Sequence, residues 1–228
     1  MKDADAIRTM SEILKRYSRE NLMVVVSAMG KTPNALEVLV AADPGSPQTW
    51  AGHFDSIKKT HQDVVEQLDI QVELDHIFND LYAATLSDLP FAQRYATIVS
   101  FGEILSTRIV SGFLQRQGMD VTWMDARDLI LTDDDFMEGK VYWEKTGKRI
   151  RKAFKDISPG IGITQGFIAA NEHGTPTVLG REGSDFTAAI FATSLKAESV
   201  TVWKDVAGIM NGDPKKFAHT RKYEELPY

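Results

Sequence analysis

The residues best placed to do chemistry lie in three short polar segments, each rich in small residues and each mixing a fixed positive charge with backbone donors. Leu179-Gly180-Arg181-Glu182-Gly183-Ser184-Asp185 is the most informative. Its glycines permit close backbone approach, Arg181 offers a guanidinium suited to a carboxylate or phosphate, and Ser184-Asp185 opens a helix whose first N–H groups favour an anion. The same segment also reads as a capped strand–helix turn with a surface arginine. Ser27-Ala28-Met29-Gly30-Lys31-Thr32 and the stretch from Lys204 to Asp213 are the other two. Glu103, beside Gly102, reads either as a surface carboxylate or, if buried, as a ligand for an ammonium group.

Other patterns fail on spacing. Gly30-Lys31-Thr32 is not a P-loop, because the position that needs a glycine five residues before Gly30 is Val25. Gly160-Ile161-Gly162 is followed by Gly166, one residue too far for a dinucleotide fingerprint. His53, His61, His76, His173 and His219 show no metal-ligand spacing, and Asp133-Asp134-Asp135 reads as a solvated turn. Ser184 lies outside any nucleophile elbow. Lys148, Arg149, Arg151, Lys152 and Lys155 read as a wet helix face.

The elements that must position these residues follow from apolar periodicity. Ile7, Met10, Leu14 and Tyr17 predict a helix over about residues 4–17, capped by Asp3 or Asp5. Leu22 to Val26 predicts a strand buried on both faces. Thr32, as N-cap, and Pro33 predict a helix through about Ala41. Phe54 to Leu68 and Leu74 to Tyr82 predict a helical hairpin, and Phe91 to Gln117 a long helix stopped by Gly118. Val121–Met124, Ile161–Ala169, Thr175–Leu179 and Ser199–Trp203 read as strands, with a helix over Asp185–Lys196; residues 132–150 carry no clear period. Strands alternating with helices predict an α/β protein, a three-layer α/β/α sandwich around a mostly parallel sheet, counted as one domain over residues 1–228. In such sheets ligands bind at the carboxyl ends of the strands, where all three polar segments fall.

Composition bounds the function. Lys and Arg total 26 against 32 Asp and Glu, a formal charge of −6 over 228 residues, and a field of that sign disfavours nucleic acid and anionic lipid. Any phosphate must be held by local donors. With no cysteine, disulfides, thiolate chemistry and Cys-ligated metal are excluded, and a reducing cytoplasm is the expected compartment. Met1-Lys2-Asp3-Ala4-Asp5 has no apolar core of a signal peptide, and no uninterrupted apolar run has the length of a membrane span.

Five stretches together resemble the catalytic domain of the aspartate kinases, within the amino acid kinase family. They are VVVSAMGKTPNAL (24–36), SFGEILSTRI (100–109), TQGFIA (164–169), LGREGSDFTAA (179–189) and VWKDVAGIMNGDPK (202–215), in the family's order. The resemblance implies transfer of the ATP γ-phosphoryl group to the side-chain carboxylate of L-aspartate, the first step toward lysine, threonine and methionine. It implies that Glu103 takes the substrate ammonium and Arg181 its α-carboxylate, with Phe167 and Ser184 lining the pocket. Asp185 would orient a catalytic lysine, Ser27 and Gly30 would lie near the phosphates, and Lys204, Asp205, Met210, Asp213 and Lys215 would cradle the nucleotide. Mg²⁺ would arrive with ATP rather than in a protein cage, and the full-length protein would form a homodimer. The chain departs from the pattern in three ways. The Lys-Phe-Gly-Gly strand that opens family members is expected to precede residue 1. The closing nucleotide-site lysine and the regulatory ACT domains are expected to follow Tyr228. Pro33 stands where a substrate-contacting threonine is usual. Two alternatives stay open: a fragment that binds ATP or aspartate without chemistry, and a relative acting on another carboxylate.

Overall fold

A computed structural model describes residues 1–17, 20–157, 160–204 and 208–226. In chain order it contains α1 (Ala4–Lys15), β1 (Leu22–Val26), α2 (Thr32–Ala41), α3 (Ala51–Gln67), α4 (Asp75–Thr85), α5 (Phe91–Arg116), β2 (Val121–Trp123), α6 (Ala126–Leu129), β3 (Leu131–Thr132), α7 (Trp143–Lys155), β4 (Ile161–Gln165), β5 (Ile168–Asn171), β6 (Pro176–Val178) and α8 (Gly183–Leu195). The chain divides into two compact units, Met1–Glu198 and Ser199–Tyr228.

In the first unit β4 runs between β1 and β2, parallel to both, with Val26 opposite Gln165 and Trp123 opposite Ile163. A second sheet has the order β3-β5-β6, with β3 parallel and β6 antiparallel to β5. Side chains alternate across a strand, so β1 serves two cores. Leu22, Val24 and Val26 join the cluster that contains Ile98, Leu105 and Ile109 of α5, whereas Met23 and Val25 pack with Ile150 of α7 and Ile190 and Phe191 of α8. Helices therefore cover both faces, as the α/β expectation required. The α5 helix is long and apolar enough to cross a bilayer, yet 83% of its apolar window is buried inside the fold, which makes it the core helix of the larger cluster.

The structure differs from the sequence reading at particular places. Most of β1 is half-buried, because among the described residues only β4 pairs with it. Thr32 is the first residue of α2 rather than its cap; it is buried, and Lys31 precedes the helix without a side-chain cap. Asp3, not Asp5, caps α1 through Ala6 N–H at 3.0 Å. The expected strand over Ile161–Ala169 is broken at Gly166–Phe167, where Phe167 takes φ +68°. Residues 199–203 form no strand: their β-branched residues supply propensity, but no described neighbour supplies a ladder, and Val200, Val202 and Trp203 are exposed. The stretch 132–150 contains the end of β3 and the start of α7.

The second unit is held by antiparallel pairing of Met210 with Lys222, by Tyr223 N–H donating to Ile209 O at 2.9 Å, and by Asn211, whose side-chain oxygen accepts from Arg221 N–H at 2.7 Å.

Candidate functional site

The loop after β1 carries Ser27 and Gly30, and α5 brings Glu103 beneath it. The approach is close because Gly102 has no side chain: a Cβ there would stand 3.0 Å from Ala28 Cβ and 3.0 Å from Leu36 Cδ1. Glu103 is 6% exposed, and its Oε1 accepts a long 3.3 Å hydrogen bond from Ala28 N–H. Burial pushes its carboxyl up to about 8, opposed by backbone N–H groups of Glu103 and Ala28 and by the N-terminal amino group of Met1. Among the described residues Glu103 forms no ion pair with a lysine or arginine. A carboxyl kept neutral by burial ionises when a cation is brought against it.

The second part of the site is built by two turns packed backbone against backbone. Gly166 and Phe167 separate β4 from β5; Gly180 to Ser184 lead from β6 into α8. A Cβ on Gly183 would lie 2.6 Å from Phe167 Cδ2, and one on Gly166 would lie 2.5 Å from Ser184 Oγ, so only glycine permits this contact. Phe167 N–H donates to Thr187 Oγ1 at 2.9 Å, Thr187 in turn donates to Gly183 O, and Leu179 N–H donates to Phe167 O at 2.8 Å. Glu182 also has positive φ, +56°, and α8 begins with no side-chain cap. Strained left-handed residues flanking an uncapped helix start are typical of ligand clamps. Asp185 lies in the first turn of α8, Arg181 is exposed on the loop, and Ser184 and Phe167 are half-buried.

Gly166 N–H donates to Val26 O at 3.0 Å, which sets the Phe167–Ser184 turns beside the Ser27–Gly30 loop at the carboxyl ends of β1 and β4. The structure thus brings together Ser27, Gly30 and Glu103 on one side, and Phe167, Arg181, Ser184 and Asp185 on the other. Lys204, Asp213 and Lys215 are exposed and Met210 is half-buried, all within the second unit; Asp205 lies outside the described residues.

The sequence reading gave no role to Gln165 and Thr107, both fully buried at this rim. Gln165 Oε1 accepts from Ala126 N–H at 2.7 Å and its Nε2 donates to Thr107 Oγ1 at 2.7 Å. Trp123 Nε1–H also donates to Thr107 Oγ1, at 3.0 Å, and Thr107 donates to Glu103 O at 2.8 Å. A glutamine inside an apolar strand run is the signal that could have found this network.

The remaining motifs resolve as structure. Asp133 Oδ1 accepts from the N–H groups of Asp135 and Lys140, and Asp135 Oδ1 from those of Met137 and Glu138, which makes the triple aspartate a turn. His61 is a core residue whose Nδ1 bonds Ile57 O at 2.8 Å. The basic face of α7 pairs locally, Lys148 with Glu144 and Lys145 with Glu172, while Arg151 donates to Ser194 O.

The turns after β1, β4 and β6 thus gather at one rim of a three-layer α/β fold, over a buried carboxyl. The sequence model of the Amino acid kinase family matches residues 1–228, and the chain belongs to that family. Aspartokinase 1, chloroplastic, of Arabidopsis thaliana is 31% identical over 99% of this chain, and lysine-sensitive aspartokinase 3 of Escherichia coli strain K12 is 27% identical over 99% of it. The chain spans 41% and 51% of those two proteins, and 26% of a bifunctional aspartokinase/homoserine dehydrogenase of Arabidopsis thaliana. The crystal structure of E. coli aspartokinase III in complex with aspartate and ADP superposes with a TM-score of 0.88, at 26% identity, covering 97% of this chain and 50% of that one.

Proposed function

We propose that this chain is the amino acid kinase domain of an aspartate kinase, a single domain over residues 1–228 that phosphorylates the side-chain carboxylate of L-aspartate with ATP. One observation carries the reading: Glu103, a buried carboxyl that pairs with no lysine or arginine among the described residues, lies under the rim at which the two strained turns meet. An α-ammonium is the group that matches it, and this pairing argues against an N-acetylated acceptor, whose nitrogen carries no charge. The relatives named aspartokinase, and the neighbour solved with aspartate and ADP, support the same substrates.

In the proposed reaction a side-chain carboxylate oxygen of aspartate attacks the γ-phosphorus. The bond from that phosphorus to the bridging oxygen breaks, and ADP leaves with its electron pair. Such transfer needs in-line positioning and positive charge or N–H donors around the moving phosphoryl group, rather than covalent help. Glu103 holds the ammonium, Arg181 the α-carboxylate, and Phe167 and Ser184 close the pocket. Ser27, Gly30 and the helix start with Asp185 face the phosphates, where Asp185 would orient a lysine. The resemblance assigns Lys204, Asp205, Met210, Asp213 and Lys215 to the nucleotide. Mg²⁺ enters on the ATP phosphates, a hard cation that prefers phosphate oxygen and water; among the described residues no cluster of His, Asp and Glu forms a protein cage. We place the protein in the cytoplasm, as a homodimer in its full-length form, with no nucleic-acid or membrane partner, on the route to lysine, threonine and methionine.

The test is ADP release coupled to a visible readout, with MgATP and L-aspartate, on the gene product carrying these residues, alongside trapping of the acyl phosphate by hydroxylamine. Aspartate-dependent ADP release with hydroxamate formation is expected. ADP release that ignores aspartate, or an aspartate-induced rise in melting temperature without product, would reject the reading.

A further inference from the structure

Thr107 and Gln165 sit in two of the stretches that carry the resemblance, and both are fully buried. Thr107 lies one helical turn after Glu103 on α5, and its hydroxyl is saturated: it donates to Glu103 O at 2.8 Å, with Ile104 O a longer acceptor at 3.1 Å, and accepts from Gln165 Nε2 and Trp123 Nε1. A hydroxyl has one donor and two acceptor sites, so nothing is left over. Gln165 is fixed at both ends, because Ala126 N–H can only meet the carbonyl oxygen of the amide. The next residue, Gly166, bonds Val26 O, and the one after it is left-handed Phe167. The chain of contacts therefore runs from the backbone of Glu103, through one hydroxyl and one amide, into the turn that holds Phe167 and Ser184.

We propose that Thr107 and Gln165 are positioning residues that keep the Glu103 turn of α5 in register with the Gly166–Phe167 turn, and so fix the pocket for the amino-acid substrate. This deepens the aspartate kinase reading and rests on it. Register between two rigid elements is what binding sites need, since displacements near 1 Å are costly. Apolar residues of equal volume would fill the space without holding the register, because buried polar groups fully satisfied specify one arrangement.

Thr107→Val removes the hydroxyl at nearly constant shape, and Thr107→Ser restores it. The expected result is a rise in the aspartate KM of about tenfold in Thr107→Val, with the MgATP KM little changed, and recovery to within about twofold of wild type in Thr107→Ser. Gln165→Met should reproduce the Thr107→Val pattern. A drop in melting temperature with the aspartate KM unmoved would overturn the proposal, as would equal rises in both KM values. Should wild type show no aspartate-dependent turnover, the functional reading fails on its own and the register is judged by amide hydrogen exchange. Faster exchange at Gly166 and Phe167 in Thr107→Val, but not in Thr107→Ser, upholds it; identical exchange in both variants overturns it.

Discussion

Replacing Glu103 by Gln should make the protein more stable and the site worse, and both effects follow from one buried group. In the fold its carboxyl sits at about 8 against an ordinary value of 4.5, with burial as the largest cause. A carboxyl raised in this way favours the protonated fold, so its contribution is fully present below pH 4.5 and is lost as pH rises toward 8. At 1.36 kcal/mol per pH unit, the wild-type fold gives up about 4 kcal/mol relative to Glu103→Gln between about pH 5 and about pH 9. The amide cannot ionise, and every other titrating group is common to the two proteins. For a chain of this length that corresponds to a melting-temperature gap widening by roughly 8 to 16 °C over the same range. The assay is thermal unfolding of both proteins in matched buffers across that window. In parallel, loss of the charged partner for an ammonium should raise the aspartate KM roughly a hundredfold, the scale of a buried charge pair broken on one side. A gap that stays constant with pH would show that Glu103 does not titrate near 8 in the fold. An unchanged aspartate KM would show that the ammonium goes elsewhere.

Three further outcomes test other parts of the argument. Gly183→Ala places a methyl 2.6 Å from Phe167 Cδ2 and 3.1 Å from its Cα, so it should cost about 1 to 3 kcal/mol by denaturant melting and raise the aspartate KM as Phe167 moves. Arg94→Met removes a guanidinium nitrogen that donates to Leu39 O, Ala42 O and Thr85 O; urea unfolding should show a loss of about 2 to 4 kcal/mol with KM values unchanged below the transition. Burial lowers the His61 pKa, so that group's stability contribution is present above 6.5 and lost as pH falls; His61→Leu should flatten the acid limb of the melting-temperature profile, and an unaltered limb would contradict the burial argument.

What the sequence made legible is what local rules control. The run Leu22–Val26, the first part of the run Ile161–Ala169, and the apolar periods of α1, α3, α4 and α5 predicted the type of element, because period alone says which residues must leave water. The loop over residues 179–185 was recognisable because glycine, arginine and a helix start stand together in sequence. The break at Phe167 was not, since the positive φ of a phenylalanine is imposed by Gly183 and Thr187, neighbours distant in the chain. The residues 199–203 misled for the opposite reason: Val200, Thr201 and Val202 have strand propensity, but a strand also needs a ladder. The burial of Glu103 was offered as an alternative and could not be decided, because nothing within a helical turn of it reveals that Ala28 and Leu36 close against Gly102 beside it.

Two unfavourable features coincide at this rim. A carboxyl held near 8 makes the fold less stable at neutral pH than an amide would, and left-handed backbone at Phe167 and Glu182 costs on the order of 1 to 3 kcal/mol each. Other charged side chains find partners within the fold: Arg94 Nη2 donates to three carbonyls, and Asp133 and Asp135 accept from the N–H groups of their own turn. A chain selected for stability alone would carry Gln at position 103 and an ordinary backbone at 167. On the proposed reading the substrate relieves both, supplying an ammonium to the carboxyl and seating against the strained turn. Saturating aspartate should therefore abolish much of the wild-type loss of stability on going from about pH 5 to about pH 8, since binding to the native state lowers the Glu103 pKa and stabilises by mass action. If aspartate left the pH dependence of wild-type melting unchanged, the carboxyl and the strain would be unrelated and the coincidence would carry no function.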